Sequence, residues 1–544
     1  MFTLAKKHTL IIDDFTEFAR SVRTMLYSLG NESVEIVNNA DDAIEACKLK
    51  NYDIILSDYN LGECKDGQQL LEELMFYNIL PIKCIFIMLT AENTSAMVMG
   101  AIEYQPDNYI AKPFTPALLK SRITKAVEKK ETLSPINQCI KKNKWDEAVH
   151  QCRTIANKYP KYRMSCLRLE FKCLKKQNKL DQALALSLKI IADREIPWAL
   201  QGVGEIYFLQ KKFDQANSVF KNMIKSFPMN LEAYDWHAKT LLAIDQKIEA
   251  QEVVNLAIRK APKVVRRQKT LGSIAEENKD FNTMTFAYRH AVNEGKYSAF
   301  ASPDEYVKLT HGLKNKAKQE NAALEPLISE AEETFTKLEN RFKNDTGTLI
   351  RSNVAHAAFS KAVNESENVT KYSEKAKLMF DNFDGALTPQ VCLEISKSLR
   401  EIEEDEFADA IVQEAIQQNL DDKSFIEQIA NFTEDQSLID KCKKVAQQNE
   451  KGILHFKRGE FLTAIDYFEK ANSISPKNIN ITLNYVQSLL KLSQSEDNFK
   501  VSFNPIELAN QKLSNINTIE STDSRFPRYS ELNRLTQLMI SKSA

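Results

Sequence analysis

Glycine is scarce, 13 residues in 544. Glycine weakens helix interiors, so its scarcity favours a largely helical chain. An excess of charge is missing too: 73 Lys and Arg face 74 Asp and Glu, a net charge of −1. That balance argues against a strongly basic nucleic-acid binder and against adhesion to an anionic membrane. The longest apolar run, Cys84 to Leu89, falls far short of the roughly 20 residues a bilayer span needs, so no membrane span is expected. The N-terminal MFTLAKKHTLIID runs into acids too soon for a signal peptide. The nine cysteines include no C-x-x-C pair and sit in apolar patterns, as at Cys84 and Cys173. They read as reduced, buried thiols of a cytoplasmic protein. Beyond residue 129 there is no HExxH, no G-x-S-x-G, no phosphate-cradling glycine loop and no helix-turn-helix, hence no expected enzyme or DNA reader.

What is present is ordinary globular composition, 43% apolar and 27% charged, in a chain long enough for several domains. The first 130 residues alternate short apolar runs with helical patterns. Strands are expected at His8–Asp13, Ser33–Val37, Asp53–Ser57, Lys83–Leu89 and Asn108–Ala111. Helices are expected after Asp14, from Asp41, over Asp66–Tyr77, from about Thr94 to Ile102 and over Pro116–Val127. Such alternation implies a parallel sheet covered by helices on both faces. The polar residues then converge on one edge: Asp13 and Asp14 after strand one, Asp58 at strand three, Thr90 at strand four, Lys112 at strand five. A lone strand-end acid is commonly a turn or cap residue; the set is the signal. Clustered carboxylates repel unless a cation joins them, and hard oxygen ligands favour Mg²⁺. A carboxylate beside such a metal can accept a phosphoryl group, with Lys112 balancing its charge and Thr90 donating a hydroxyl to it.

From about Lys7 to Lys129 the sequence resembles the receiver domain of bacterial two-component response regulators. The residues that carry the likeness are Asp13-Asp14, Asp58 in DIILSD, Thr90-Ala91, Lys112-Pro113-Phe114 and Tyr109. The resemblance implies that Asp58 is the phospho-acceptor of a sensor histidine kinase and Tyr109 an aromatic switch paired with Thr90. It also implies Mg²⁺ held by Asp14 and Asp58, with Asp13 acting through water and Asn60 through its backbone carbonyl. One departure is the long stretch Tyr59–Gly67 with its Glu-Cys-Lys insert.

After a polar joint at Glu128–Pro135, strands vanish. Ala148, Ala183, Ala216 and Ala250 recur at 35, 33 and 34 residues, led by Trp145, Leu180 and Phe213, with Pro160, Pro228 and Pro262 at helix ends. Gly204 and Ala238 hold a small site, with Tyr207 and Leu241 three residues on. Small residues let paired helices approach, large ones fill the gap to the next pair, and proline ends the second helix. From about Lys129 to Asn293 this resembles the tetratricopeptide repeat (TPR). From Lys296 to Asp440 the frame is lost, though Phe407-Ala-Asp-Ala410 reads as a decayed repeat. A good repeat returns at Gly452, Phe461, Ala464, Phe468 and Ala471. The basic run around Arg266-Arg267 reads as a solvated or partner-facing surface.

The expected fold is therefore a flavodoxin-like α/β receiver followed by an all-α solenoid. The expected segments are 7–129 receiver, 130–295 TPR repeats, 296–440 degenerate helices, 441–493 a TPR-like repeat with its following helix, and 494–544 a polar, partly mobile tail. The expected function is a phosphorylation-controlled adaptor whose repeat groove takes a protein ligand, with a homodimer as a further option and no DNA partner. Its rivals are a phosphorelay intermediate or phosphate sink that recruits the kinase through the repeats, a constitutive scaffold, and a hidden enzyme or nucleic-acid domain within 296–440.

Overall fold

The computed structural model describes residues 4–62, 65–91, 106–319, 323–383, 387–418, 436–476, 478–495, 502–516, 519 and 525–543. They fall into two compact units, Met1–Gly312 and Leu313–Ala544.

The first unit begins with a five-stranded sheet in the order β2-β1-β3-β4-β5, all pairs parallel. The strands are β1 (His8–Ile12), β2 (Ser33–Val37), β3 (Ile54–Asp58), β4 (Ile85–Thr90) and β5 (Asn108–Ala111). The helices are α1 (Thr16–Ser28), α2 (Ala40–Leu49), α3 (Gly67–Phe76) and α4 (Pro116–Lys141). Side chains alternate along each strand, so two cores form. Leu10, Ile12, Ile55, Phe86 and Met88 pack with α2 and α3 through Ile44, Leu70 and Leu74. Ile11, Ile54, Leu56 and Ile87 pack with α1 and α4 through Val22, Leu26, Leu119 and Ile123. The helix expected over Thr94–Ile102 lies outside the described residues.

The expected break at Glu128–Pro135 is absent. Helix α4 runs unbroken through Pro135, with Leu119 and Ile123 in the sheet's core and Leu133 and Ile136 in the core of the next helices. A proline removes one helical hydrogen bond; packing at both ends of α4 outweighs that loss.

After α4 the first unit is a run of helical hairpins. Second helices start at Trp145, Leu180, Phe213, Lys247 and Phe281. Two residues ahead of each stands a left-handed residue: Asn143, Asn178, Lys211, Asp245 and Lys279, with φ from 55° to 59°. A left-handed residue is the usual stop for a helix, most often glycine. The fit between paired helices is close. A Cβ at Gly204 would lie 2.5 Å from the Phe220 ring, and one at Gly272 2.5 Å from that of Tyr288. Arg267, expected on a solvated surface, is 1% exposed and holds Asp235 through two 2.8 Å bonds.

The second unit shows the same hairpin turn, including where the sequence frame is lost. Asn364, Glu403 and Gly459 are left-handed, φ 64°, 67° and 78°, each two residues ahead of a helix, at Ser366, Asp405 and Phe461. The helices there have changed length, which destroys the sequence period but not the turn. Helix Thr346–Ala362 is buried on every side from Gly347 to Ser360. It carries a bidentate Arg351–Glu394 pair at 2.9 and 2.7 Å and places His356 between the rings of Phe335 and Tyr372. The tail, expected to be polar and mobile or loosely docked, carries two docked helices among the described residues. Helices Pro505–Ser514 and Phe526–Ser543 bury Ala509, Leu513 and Leu532 in one core with Leu483, Val486 and Leu489. No described helix is long and apolar enough to cross a membrane. The described cysteines are all free, and six of seven are buried. Burial pushes the Cys47 and Cys173 thiols up to about 11, which makes them poor nucleophiles.

Candidate functional site: an acidic cluster at the carboxyl edge of the sheet

In a parallel sheet all strands deliver their carboxyl ends to one edge, where ligands bind. The register aligns those ends: Asp58 stands opposite Leu89, and Thr90 opposite Ala111. Asp13 is fully buried and accepts the Phe15 amide at 3.0 Å, while Asp14 is exposed. Carboxylate oxygens of Asp13, Asp14 and Asp58 all lie within 4.8 Å of one another. Lys112 Nζ joins two of them, 2.8 Å from Asp13 and 2.9 Å from Asp58.

Electrostatics keep this cluster unsettled. Burial pushes the Asp58 carboxyl above its ordinary value; Lys112 pulls it down, Asp13 raises it, and the Tyr59 amide lowers it. One lysine against three carboxylates leaves negative charge uncompensated. Hard oxygen donors at that spacing, one of them open to solvent, suit a hydrated divalent cation. Asp13, Asp14 and Asp58 would hold it.

The other expected residues fall as follows. Thr90 ends β4 beside Asp58's strand, and its carbonyl accepts the Lys112 amide at 2.7 Å. Asn60 is exposed in the loop after β3. Tyr109 packs against the core beneath β5, and its hydroxyl is buried with no hydrogen-bond partner among the described residues. Of the Glu-Cys-Lys insert, only Lys65 lies within the described residues. It pairs with Asp41 at 2.7 Å and Glu73 at 2.9 Å.

Three features escaped the sequence. Phe18 lies under Lys112, with Nζ 4.1 Å from the ring centre; in the sequence it is one more apolar residue of α1. Gly67 abuts β3 so closely that a Cβ there would sit 2.1 Å from the Asp58 carbonyl oxygen. Its place at a helix start was the only clue. A cavity of about 810 Å³ has Pro106 and Tyr109 on one wall and Trp198, Gln201, Leu231 and Arg267 on the other. Nothing in the linear sequence marks it.

Residues 9–124 match the response regulator receiver domain. A chemotaxis protein CheY homolog of Campylobacter jejuni (strain 81-176) is 33% identical over 121 residues, 87% of its length and 21% of this chain. The chain belongs to the response regulator receiver family. Two solved structures are also similar. The Methanospirillum hungatei CheY-like domain is 26% identical, with 23% of this chain and 96% of that one covered and a TM-score of 0.21. The N-terminal domain of a Carboxydothermus hydrogenoformans response regulator/sensory box/GGDEF protein is 28% identical, with 23% and 97% covered and a TM-score of 0.21. Receiver domains generally bind Mg²⁺ at an acidic aspartate cluster, and Asp13, Asp14 and Asp58 form such a cluster. A receiver domain also implies a histidine kinase or another phosphodonor. It places the chain in two-component signalling.

Proposed function

We propose that this receiver controls the binding behaviour of the helical hairpins that follow it, which we read as TPR repeats. Asp58 is the phospho-acceptor. One of its carboxylate oxygens bonds to phosphorus as the donor's P–N bond breaks, giving an acyl phosphate and releasing the kinase's histidine. Asp13, Asp14, Asp58 and the Asn60 carbonyl would hold Mg²⁺, which would supply charge neutralisation at the transferred oxygens. Lys112 leaves its bridge between Asp13 and Asp58 to pair with the phosphoryl group, and Thr90 donates its hydroxyl to it. Tyr109, whose hydroxyl has no hydrogen-bond partner among the described residues, gains one by moving toward Thr90. Apart from its own phosphorylation and dephosphorylation the protein is not an enzyme; its output is a protein ligand held on the repeats.

The observation that carries this reading is the Lys112 ammonium bridging Asp13 and Asp58 within reach of Asp14. Incubation with Mg²⁺ and acetyl phosphate, followed by intact-mass measurement, tests it. A single phosphate adduct on the natural chain, absent from Asp58→Asn, is the expected result. An adduct that persists in Asp58→Asn would move the acceptor elsewhere. Capture of a different set of proteins by the phosphorylated chain is the second expectation; an unchanged set would make the chain a phosphate relay.

A further inference from the structure

Helix α3 begins at Gly67 against Asp58 and ends at Phe76, and its outer face is not exposed as a receiver standing alone would leave it. Gln68 is 5% and Glu72 4% exposed. Against Glu72 lies the segment 294–300, at the end of the fifth hairpin. The Glu72 carboxylate accepts the Ser298 hydroxyl and the Ala299 amide at 3.1 Å. Gln69 Nε2 donates to the Glu294 carbonyl at 3.4 Å. Phe76 meets Phe300 edge-on at 5.2 Å.

We propose that Glu72 is the pin of a latch closing the hairpin array onto the receiver, and that loading Asp58 opens it. This deepens the function proposed above and rests on Asp58 being the acceptor. The array leaves the receiver through α4, a continuous helix, and meets it again at 294–300, the latch. Between them the receiver's β5 side does not fill the array, and the cavity under Tyr109 stays open.

The latch is built to be weak. Glu72 is buried, and both its partners are neutral donors. A buried carboxylate with no cation partner among the described residues is costly. Phe76 and Phe300 add little, being 47% and 42% exposed. A modest displacement of α3 therefore suffices to release it.

The acceptor has a direct route to that displacement. The Gly67 amide donates to the Tyr59 carbonyl at 2.8 Å, and Gly67 has no free space toward the Asp58 carbonyl, the Ser57 hydroxyl or the Met88 sulfur. Any shift of the Asp58–Tyr59 backbone moves the start of α3. Gln69 belongs to both ends of the path. Its Oε1 accepts the Asp66 amide at 3.0 Å and its amide donates at 2.8 Å to Asp66 Oδ1, closing the α3 cap. Its Nε2 holds the array.

Coupling of this kind is reciprocal: if loading the site opens the latch, opening the latch favours loading. Beryllofluoride with Mg²⁺, a non-covalent phosphoryl mimic, measures this at equilibrium on the full chain. Glu72→Lys and the milder Ser298→Ala should each tighten its affinity, the first by about fivefold or more. Glu72→Cys/Ser298→Cys, oxidised, should weaken it, with recovery on reduction. Hydrogen exchange of residues 294–300 should rise in the natural chain on loading. Equal affinities in all four proteins, with normal binding to the natural chain, would overturn the latch while leaving the acceptor intact. No binding to the natural chain would overturn the acceptor reading, and the latch as a switch with it.

Discussion

The receiver and the hairpin array solve opposite problems. The receiver gathers three carboxylates and one lysine at one sheet edge and tolerates the repulsion, which the proposed function explains by a cation and a transferred group that would join them there. The array spreads its interactions thinly, one small residue against one ring per hairpin, as with Gly204 and Phe220 or Gly272 and Tyr288. In the receiver, function sits in residue identities and costs stability. In the array, stability sits in repeated shape and no single residue carries the function. A buried, unsettled charge is a marker of chemistry; a repeated close fit is a marker of surface.

Substitutions should separate the two regimes. Gly67→Ala should do most damage, about 3 kcal/mol, since the obstacle is backbone at Asp58 and overpacking against backbone cannot relax. Urea unfolding of the full chain should show it, and an unaltered profile would mean α3 can slide. Lys112→Ala should cost about 2 kcal/mol by leaving Asp13 and Asp58 face to face. Part of that loss should return on adding Mg²⁺; a thermal shift insensitive to Mg²⁺ would argue against a metal at the cluster. Gly204→Ala should cost about 1–3 kcal/mol by forcing the Phe220 ring aside, with the adduct on Asp58 unaffected. Loss of phosphorylation in that variant would erase the division drawn here.

Asp58→Asn should instead stabilise, by about 1 kcal/mol. Burial raises the Asp58 pKa, so its ionised form opposes folding, and its contribution falls as pH rises through the folded value. The gain should therefore be present at pH 7 and vanish in acid. Smallest is the effect of His237, which bonds Asn217 at 2.7 Å. Burial, then Lys221, depresses its pKa to about 4. A depressed histidine contributes stability above its unfolded value and loses it as pH falls toward the folded one. Between pH 7 and pH 6 the loss should be about 0.7 kcal/mol, and chemical denaturation of His237→Gln should lack it.

The sequence by itself determined the sheet, the edge to which Asp13, Asp14, Asp58, Thr90 and Lys112 come, and the hairpin period up to Asn293. These are local: a strand's period of two, a helix's apolar stripe and the parallel rule for strand ends need no long-range information. Composition misled at Glu128–Pro135, where polar residues hid a continuous helix anchored at both ends. It misled again in the tail, where a few buried residues such as Leu513 and Leu532 dock an otherwise polar stretch. Beyond 296 the period disappeared because helix lengths changed, while the turn survived on Asn364 and Glu403, residues with no glycine signal. Only the tertiary structure decided that Glu72 would meet Ser298, 226 residues away, and that Tyr109 would face Trp198 across a cavity. Those pairings depend on the summed rotation of five hairpins, and small angles added over that length are written in no single residue.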